Sequence, residues 1–112
     1  MDVRVHDHAG AAVIEVEGEV DLYTSPRVRD AIVRATTART RTVVVDLAGV
    51  VYMDSSGVAT LVEGLQFTRG YGGAFRLAGL GETVRQVFTF AKLDKVFEIY
   101  PNAQGALAGS KG

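Results

Sequence analysis

Residues 53 to 58 read Met-Asp-Ser-Ser-Gly-Val and directly follow the apolar run TVVVDLAGVVY. An aspartate and two serines at that junction support three kinds of chemistry. Asp54 or Ser55 can cap a helix by accepting hydrogen bonds from the free backbone N–H groups of its first turn. A serine on a strand-to-helix turn can act as a nucleophile, but that elbow has glycine two residues to either side. Gly57 meets the requirement for Ser55 and Met53 does not. A serine at a helix start can also carry a phosphate, because the N-terminal end of a helix offers N–H groups and roughly half a unit of positive charge. Phosphorylation would add about 1.5 to 2 negative charges beside Asp54, enough to repel a close-packed or acidic partner while leaving the domain folded.

Other reactive residue types are scattered. His6 and His8 share a strand face with Asp7 between them, a spacing that can bind metal, but no third ligand lies nearby in sequence. These are also the chain's two histidines, so no base is in prospect for a catalytic serine, and an enzyme is not expected. Gly79-Leu80-Gly81 opens a helix after a strand as a dinucleotide fingerprint does, yet the third glycine position holds Val84 and no ribose-binding acid follows. No cofactor is expected. Five arginines fall between Arg27 and Arg41 without interleaved aromatic residues, which fits a solvated helix face rather than a nucleic-acid platform.

Bulk composition agrees with a protein-binding role. Twelve Lys and Arg against thirteen Asp and Glu leave a net charge of -1, which gives no footprint for nucleic acid or an anionic membrane. The absence of cysteine removes disulfides and thiolate chemistry. MDVRVHDHAG lacks a basic segment followed by an apolar one, and no apolar run reaches membrane-spanning length, so a cytoplasmic location without membrane insertion is expected. A length of 112 residues with 47% hydrophobic content fits a single domain over residues 1–112, with 109–112 as a frayed tail.

The elements that must position the Asp-Ser-Ser-Gly turn follow from two hydrophobic periods. Strands are expected at Val3 to His6 and Ala12 to Glu17, joined by a turn at Ala9-Gly10, and in the second of them Ala12, Ile14 and Val16 form an apolar face. Ser25-Pro26 predicts a helix start with Ser25 as its cap, and Val28, Ala31, Ile32 and Ala35 form its buried stripe. Thr42 to Leu47 is the most apolar strand and is placed at the centre. A second helix from about Ser56 to Arg69 carries Val58, Leu61, Val62 and Leu65 on one stripe. Beside it runs a row of small residues, Gly57, Thr60 and Gly64, which either admits a partner helix or packs on the protein's own sheet. Gly57 has two readings as well: close approach of a partner backbone to Ser56, or a helix start without room for Cβ. A strand at Ala74 to Ala78, a helix at Glu82 to Ala91, a strand at Val96 to Tyr100 and a short helix within Pro101 to Ala108 complete the chain. This order predicts an α/β fold with a mixed, mostly parallel sheet of about five strands and about four helices. Charged residues at Glu15, Glu17, Arg76 and Glu98 argue for two layers rather than three.

The stretches VEGEVD (16–21), VVVDLAGVVYMDSSGVATLV (43–62), LAGLGETVRQVF (77–88) and VFEIY (96–100) resemble the STAS-domain family of anti-sigma factor antagonists, over roughly residues 3 to 108. The strand-Asp-Ser-Ser-Gly-helix element is the most specific part. The resemblance implies a regulator that, when unphosphorylated, binds a serine-kinase anti-sigma factor and so frees a sigma factor. It implies phosphorylation at Ser56, with a PP2C-type phosphatase as a further partner. Asp54, Ser55 and Gly57 would shape the contact, and Glu19 and Asp21 at the end of the second strand would lie near it. The same domain also occurs as a constitutive module in stress-signalling scaffolds and in lipid- or anion-transport systems. Two residues depart from expectation: Lys92 stands where the family usually shows glycine, and Arg76 in the fourth strand has no role that the sequence assigns.

Overall fold

The chain opens as a hairpin. Strand β1 (Asp2–His8) pairs antiparallel with β2 (Ala11–Val20), and the two-residue turn between them is made by Ala9 and Gly10, whose φ angles of 50° and 88° are both left-handed. That geometry matches the right-handed twist of the strands, which is why such turns close tight hairpins. The computed structural model describes residues 1–109. After the hairpin come α1 (Ser25–Thr37), β3 (Thr42–Met53), α2 (Ser55–Gly70), β4 (Ala74–Ala78), α3 (Glu82–Phe90), β5 (Glu98–Tyr100) and α4 (Ala103–Ala108).

The strands lie in the order β1-β2-β3-β4-β5, with β2 to β5 parallel. Each crossover therefore steps to the next strand on the same side. Right-handed crossovers that never reverse direction place their helices on one face of the sheet. Ala12, Ile14, Val16, Val43, Val45, Leu47, Phe75 and Leu77 point into that face and meet Val28, Ile32, Leu61, Val84 and Phe88 from the helices. The central position of β3 and the inward faces expected for β3 and β4 are borne out.

The opposite face is open over β1 and much of β2 but not everywhere. The six-residue α4 folds back under it, where Ala106 is fully buried with Val13, Val44, Ala78 and Tyr100. Arg76 anchors this return. Its guanidinium donates to the Ala106 carbonyl at 2.9 Å and to Glu98 Oε1 at 3.3 Å, and lies over the Tyr100 ring. A residue without a sequence-level role thus closes the C-terminal end of α4. Gly109 caps that helix with a φ of 69°. The rest of the expected frayed tail, 110–112, lies outside the described residues.

Several boundaries and faces differ from the sequence expectation for identifiable reasons. Both β2 and β3 run on past the expected ends because parallel pairing continues through register shifts at Glu15/Glu17 and Gly18/Glu19. Thr24, not Ser25, occupies the N-cap position of α1 and makes no side-chain capping hydrogen bond, while Ser25 is buried in the first turn. The buried side of α2 is Gly57, Thr60, Leu61, Gly64, Leu65 and Thr68, while Val58 and Val62 are only half-buried. The small-residue row therefore packs on the protein's own core: a Cβ on Gly64 would lie 2.6 Å from the Phe75 ring and 3.0 Å from Ile32 Cγ2. That row is not free to admit a partner helix.

Lys92 has a φ of 59°, in the left-handed region that glycine tolerates and other residues resist. The departure from the family pattern thus falls where the backbone asks for glycine. Lys92→Gly is expected to raise unfolding stability by up to about 1 kcal/mol. Gly64→Ala should do the reverse despite alanine's better helix propensity, losing roughly 1 to 3 kcal/mol because Phe75 is already packed. Urea denaturation of the two variants checks both signs.

Candidate functional site

The Asp-Ser-Ser-Gly element sits at the C-terminal end of the central strand, where β3 passes into α2. Asp54 is the helix cap. It has extended backbone angles, and its Oδ1 accepts from the Ser56 N–H at 2.9 Å and from the Gly57 N–H at 3.4 Å. Its own N–H donates to the Val20 carbonyl at 3.1 Å, which ties the helix start to the end of β2. Ser55 is the first helical residue and is exposed; Ser56 is half-buried. Ser56 is held through its backbone, the N–H by Asp54 and the C=O by the Thr60 hydroxyl at 3.0 Å.

Gly57 is buried beneath the two serines. A Cβ there would lie 2.6 Å from Met53 Cγ and 2.8 Å from Val20 Cγ1, so the first turn of α2 rests directly on the ends of β2 and β3. Of the two readings of this glycine, packing against the sheet is the one with a contact behind it. The element is therefore fixed from below and presents its serines outward.

Glu19 and Asp21 come to the same end of the sheet, with Glu19 opposite Tyr52 and Val20 opposite Met53 in the β2–β3 register. Glu19 is exposed. Asp21 organises the turn into α1: its Oδ1 accepts from the Tyr23 N–H at 2.9 Å, from the Thr24 N–H at 3.0 Å and from the Thr24 hydroxyl at 3.1 Å. The same hydroxyl lies 2.7 Å from the Glu19 carbonyl and 2.9 Å from the Asp21 N–H. The Thr24 N–H, reinforced by that of Tyr23 and by the Thr24 hydroxyl, holds the Asp21 carboxyl below the usual carboxylate range, outweighing the opposing effect of desolvation.

This turn displays residues that sequence reasoning passed over. Leu22 is 67% exposed, Tyr23 87%, Val51 70% and Tyr52 47%. Two follow Asp21 directly and two precede Met53-Asp54, so the β2–β3 pairing brings four large exposed apolar residues to the same pole of the sheet as the serines. In sequence, Val51 and Tyr52 read as the end of one buried run. The register shifts on β2 and the exposed stretch at Ala48-Gly49 break that run's alternation.

Two outcomes follow from the geometry. Asp54→Ala removes the cap and should cost about 0.5 to 2 kcal/mol in thermal or urea unfolding, whereas Ser55→Ala, exposed and not the cap, should change stability by less than about 0.5 kcal/mol. Because the Asp21 carboxyl is depressed in the folded state, its contribution is complete above the ordinary value of 3.8 and disappears as pH falls through the lower folded value. An NMR titration should place its midpoint below 3.8, and Asp21→Asn should lose that acid-side component of stability.

The STAS-domain family profile matches residues 1–106. The anti-sigma-F factor antagonist RsfB of Mycobacterium tuberculosis is 30% identical over 112 residues, covering 100% of this chain and 91% of the relative. The crystal structure of an anti-sigma factor antagonist from Mycobacterium paratuberculosis superposes with a TM-score of 0.89 at 29% identity, over 99% of this chain and 94% of that one. The Bacillus cell fate determinant SpoIIAA in its phosphorylated form shares the fold, with a TM-score of 0.76 at 22% identity over 96% of this chain and 98% of that one. With its mixed five-stranded sheet and its Asp-Ser-Ser-Gly element at the head of α2, this chain belongs to the STAS-domain family of anti-sigma factor antagonists.

Proposed function

We propose that this protein is an anti-sigma factor antagonist that binds a serine-kinase anti-sigma factor when Ser56 is unmodified and is released when Ser56 is phosphorylated. The observation that carries the reading is the placement of a backbone-anchored serine at a helix N-terminus, at the same pole of the sheet as the exposed apolar side chains Leu22, Tyr23, Val51 and Tyr52. Apolar and aromatic anchors around a small polar centre are what a protein partner desolvates on docking. The names of the relatives supply the class of partner.

The physical logic of release is a difference between folding and binding. The two N–H groups that Asp54 accepts from are already satisfied, so a phosphate on Ser56 gains the favourable end of the helix field but also faces the Asp54 carboxylate. These effects oppose one another, and the net change in fold stability is small. A docked partner has no such compensation: it would have to bury about 1.5 to 2 added charges against an apolar surface. Asp21 acts indirectly, by holding the turn that presents Leu22 and Tyr23. Asp54 caps, Ser55 and Glu19 contact the partner, and Gly57 lets the helix start sit close to the sheet. A PP2C-type phosphatase would restore the unmodified state.

Incubation with the cognate kinase and ATP should add one phosphate, located at Ser56 by mass spectrometry and absent from Ser56→Ala. Ser56→Asp should leave unfolding stability within about 0.5 kcal/mol of wild type while weakening kinase binding. Tyr23→Ser should likewise weaken binding, by about 1 to 2 kcal/mol, without lowering stability, since the side chain is exposed. Equal kinase binding by wild type, Ser56→Ala and Ser56→Asp would reject the switch and leave a constitutive STAS interaction module.

A further inference from the structure

A cleft lies at the other pole of the sheet, among the β1–β2 turn, the connection from α1 into β3, and α4. It encloses about 840 Å³, within the size range of small-ligand sites. His8, Arg39, Arg41 and Gln104 supply its polar lining, and Ala11 and Leu107 its apolar lining; no carboxylate side chain is among the residues that form it. On a chain with a net charge of -1, two arginines lining one cavity are a local excess of positive charge. Among the described residues neither arginine forms a salt bridge; the ion pairs lie elsewhere, at His6–Glu15, Arg29–Glu63 and Arg76–Glu98.

The arginines are set in place rather than left on a loose loop. The Arg39 guanidinium lies 5.4 Å from the centre of the Tyr71 ring, and the Tyr71 hydroxyl donates to the Thr40 carbonyl at 2.7 Å. The Arg39 N–H donates to the Thr36 carbonyl, the Thr40 N–H to that of Ala35, and the Arg41 carbonyl accepts from the Ala74 N–H at 2.7 Å. Arg39 also holds a left-handed backbone, φ 56°, and Ala9 across the cleft does so at 50°. Two of the three non-glycine residues with positive φ among those described therefore line this one cavity. Ala9 takes this geometry in the tight hairpin turn and Arg39 just past the C-cap of α1, so local backbone structure fixes both on the rim of the cleft.

We propose that this cleft binds a small phosphomonoester. Two arginines on one cleft offer the charge and the N–H donors that a phosphoryl dianion takes, Gln104 offers a further donor, and the Ala11 and Leu107 side accommodates an apolar body on the ester. The site begins at the first residues of β2 and β3, and the whole of β3 separates it from Ser56, on the order of 30 Å at the rise of a parallel strand. Ligand and protein partner can therefore be bound together, and this assignment stands independently of the phosphoswitch.

Amide NMR titrations of the full chain at constant ionic strength test it, with phenyl phosphate, inorganic phosphate and succinate as probes. Phenyl phosphate should give saturable shifts at Gly10, Ala11, Thr42 and Gln104 and none at Ser55 to Gly57, with inorganic phosphate weaker and succinate weaker still. Arg39→Gly is the decisive variant, because glycine relieves the left-handed backbone while deleting the guanidinium. Its melting temperature should hold or rise while phenyl phosphate affinity falls about tenfold or more. Arg41→Gln should weaken binding similarly with an unchanged melting temperature. Absence of saturable shifts, equal affinity in the Arg39→Gly protein, or succinate binding as tightly as phenyl phosphate would overturn the proposal.

Discussion

The parallel pairing of β2 with β3 is the contact on which the site depends. Parallel strands cannot be joined by a tight turn, so their C-terminal ends emerge at the same pole of the sheet and each leads into a helix there. Here the register carries Val20 beside Met53 and lets the Val20 carbonyl accept from the Asp54 N–H. Everything that follows at that pole is arranged around this bond. Asp21 and Thr24 close the turn after β2, Asp54 caps the helix after β3, and the two loops are held side by side with Leu22 and Tyr23 on one and Val51 and Tyr52 on the other. Breaking the register would separate the serines from the surface that surrounds them.

Close packing under α2 is the second requirement. Gly57 and Gly64 leave no room for Cβ against Met53, Val20, Phe75 and Ile32, so the helix lies near the sheet along its length and its N-terminal turn cannot tilt away. This rigidity matters for a switch. A phosphate that rearranged the helix would have to disrupt that packing, at a cost larger than a single surface charge supplies, so the added charge acts at the surface instead. Under the proposed function, a phosphate at Ser56 would leave the fold in place and act on the partner.

The two poles of the sheet differ in character. At the C-terminal ends of the parallel strands lie an acidic and hydroxyl-bearing element and exposed apolar side chains. At the N-terminal ends lies a cleft lined by Arg39 and Arg41, with Arg39 over Tyr71, and bounded by α4. Helix α4 reaches that position because Arg76 donates to the Ala106 carbonyl and because Ala106 fills the gap over Val44 and Ala78. The short C-terminal helix thus both caps the open face of the sheet and builds one wall of the cleft.

Much of this architecture was legible in the residues. Alternation in β2 and β4, the stripe of Val28, Ala31, Ile32 and Ala35, and the glycine-marked turns are local signals, because one buried face imposes a fixed period on the chain. The helix start at Asp-Ser-Ser-Gly was equally local, since a side chain that caps acts within three residues of itself. Tertiary structure decided what depends on partners distant in sequence. The buried side of α2 turned toward its small residues because Phe75 and Ile32 fill the space opposite them. Val51 and Tyr52 left the buried run because the β2–β3 register shifts, which no window on β3 alone reveals. Arg76 gained its role only when α4 folded back under the sheet, and Arg39 and Arg41, which read as a solvated helix face, came to share a cleft with His8 and Gln104 through the meeting of three separate segments. Periodicity records which face of an element is covered; it does not record what covers it, and that was fixed by the order in which the strands lie.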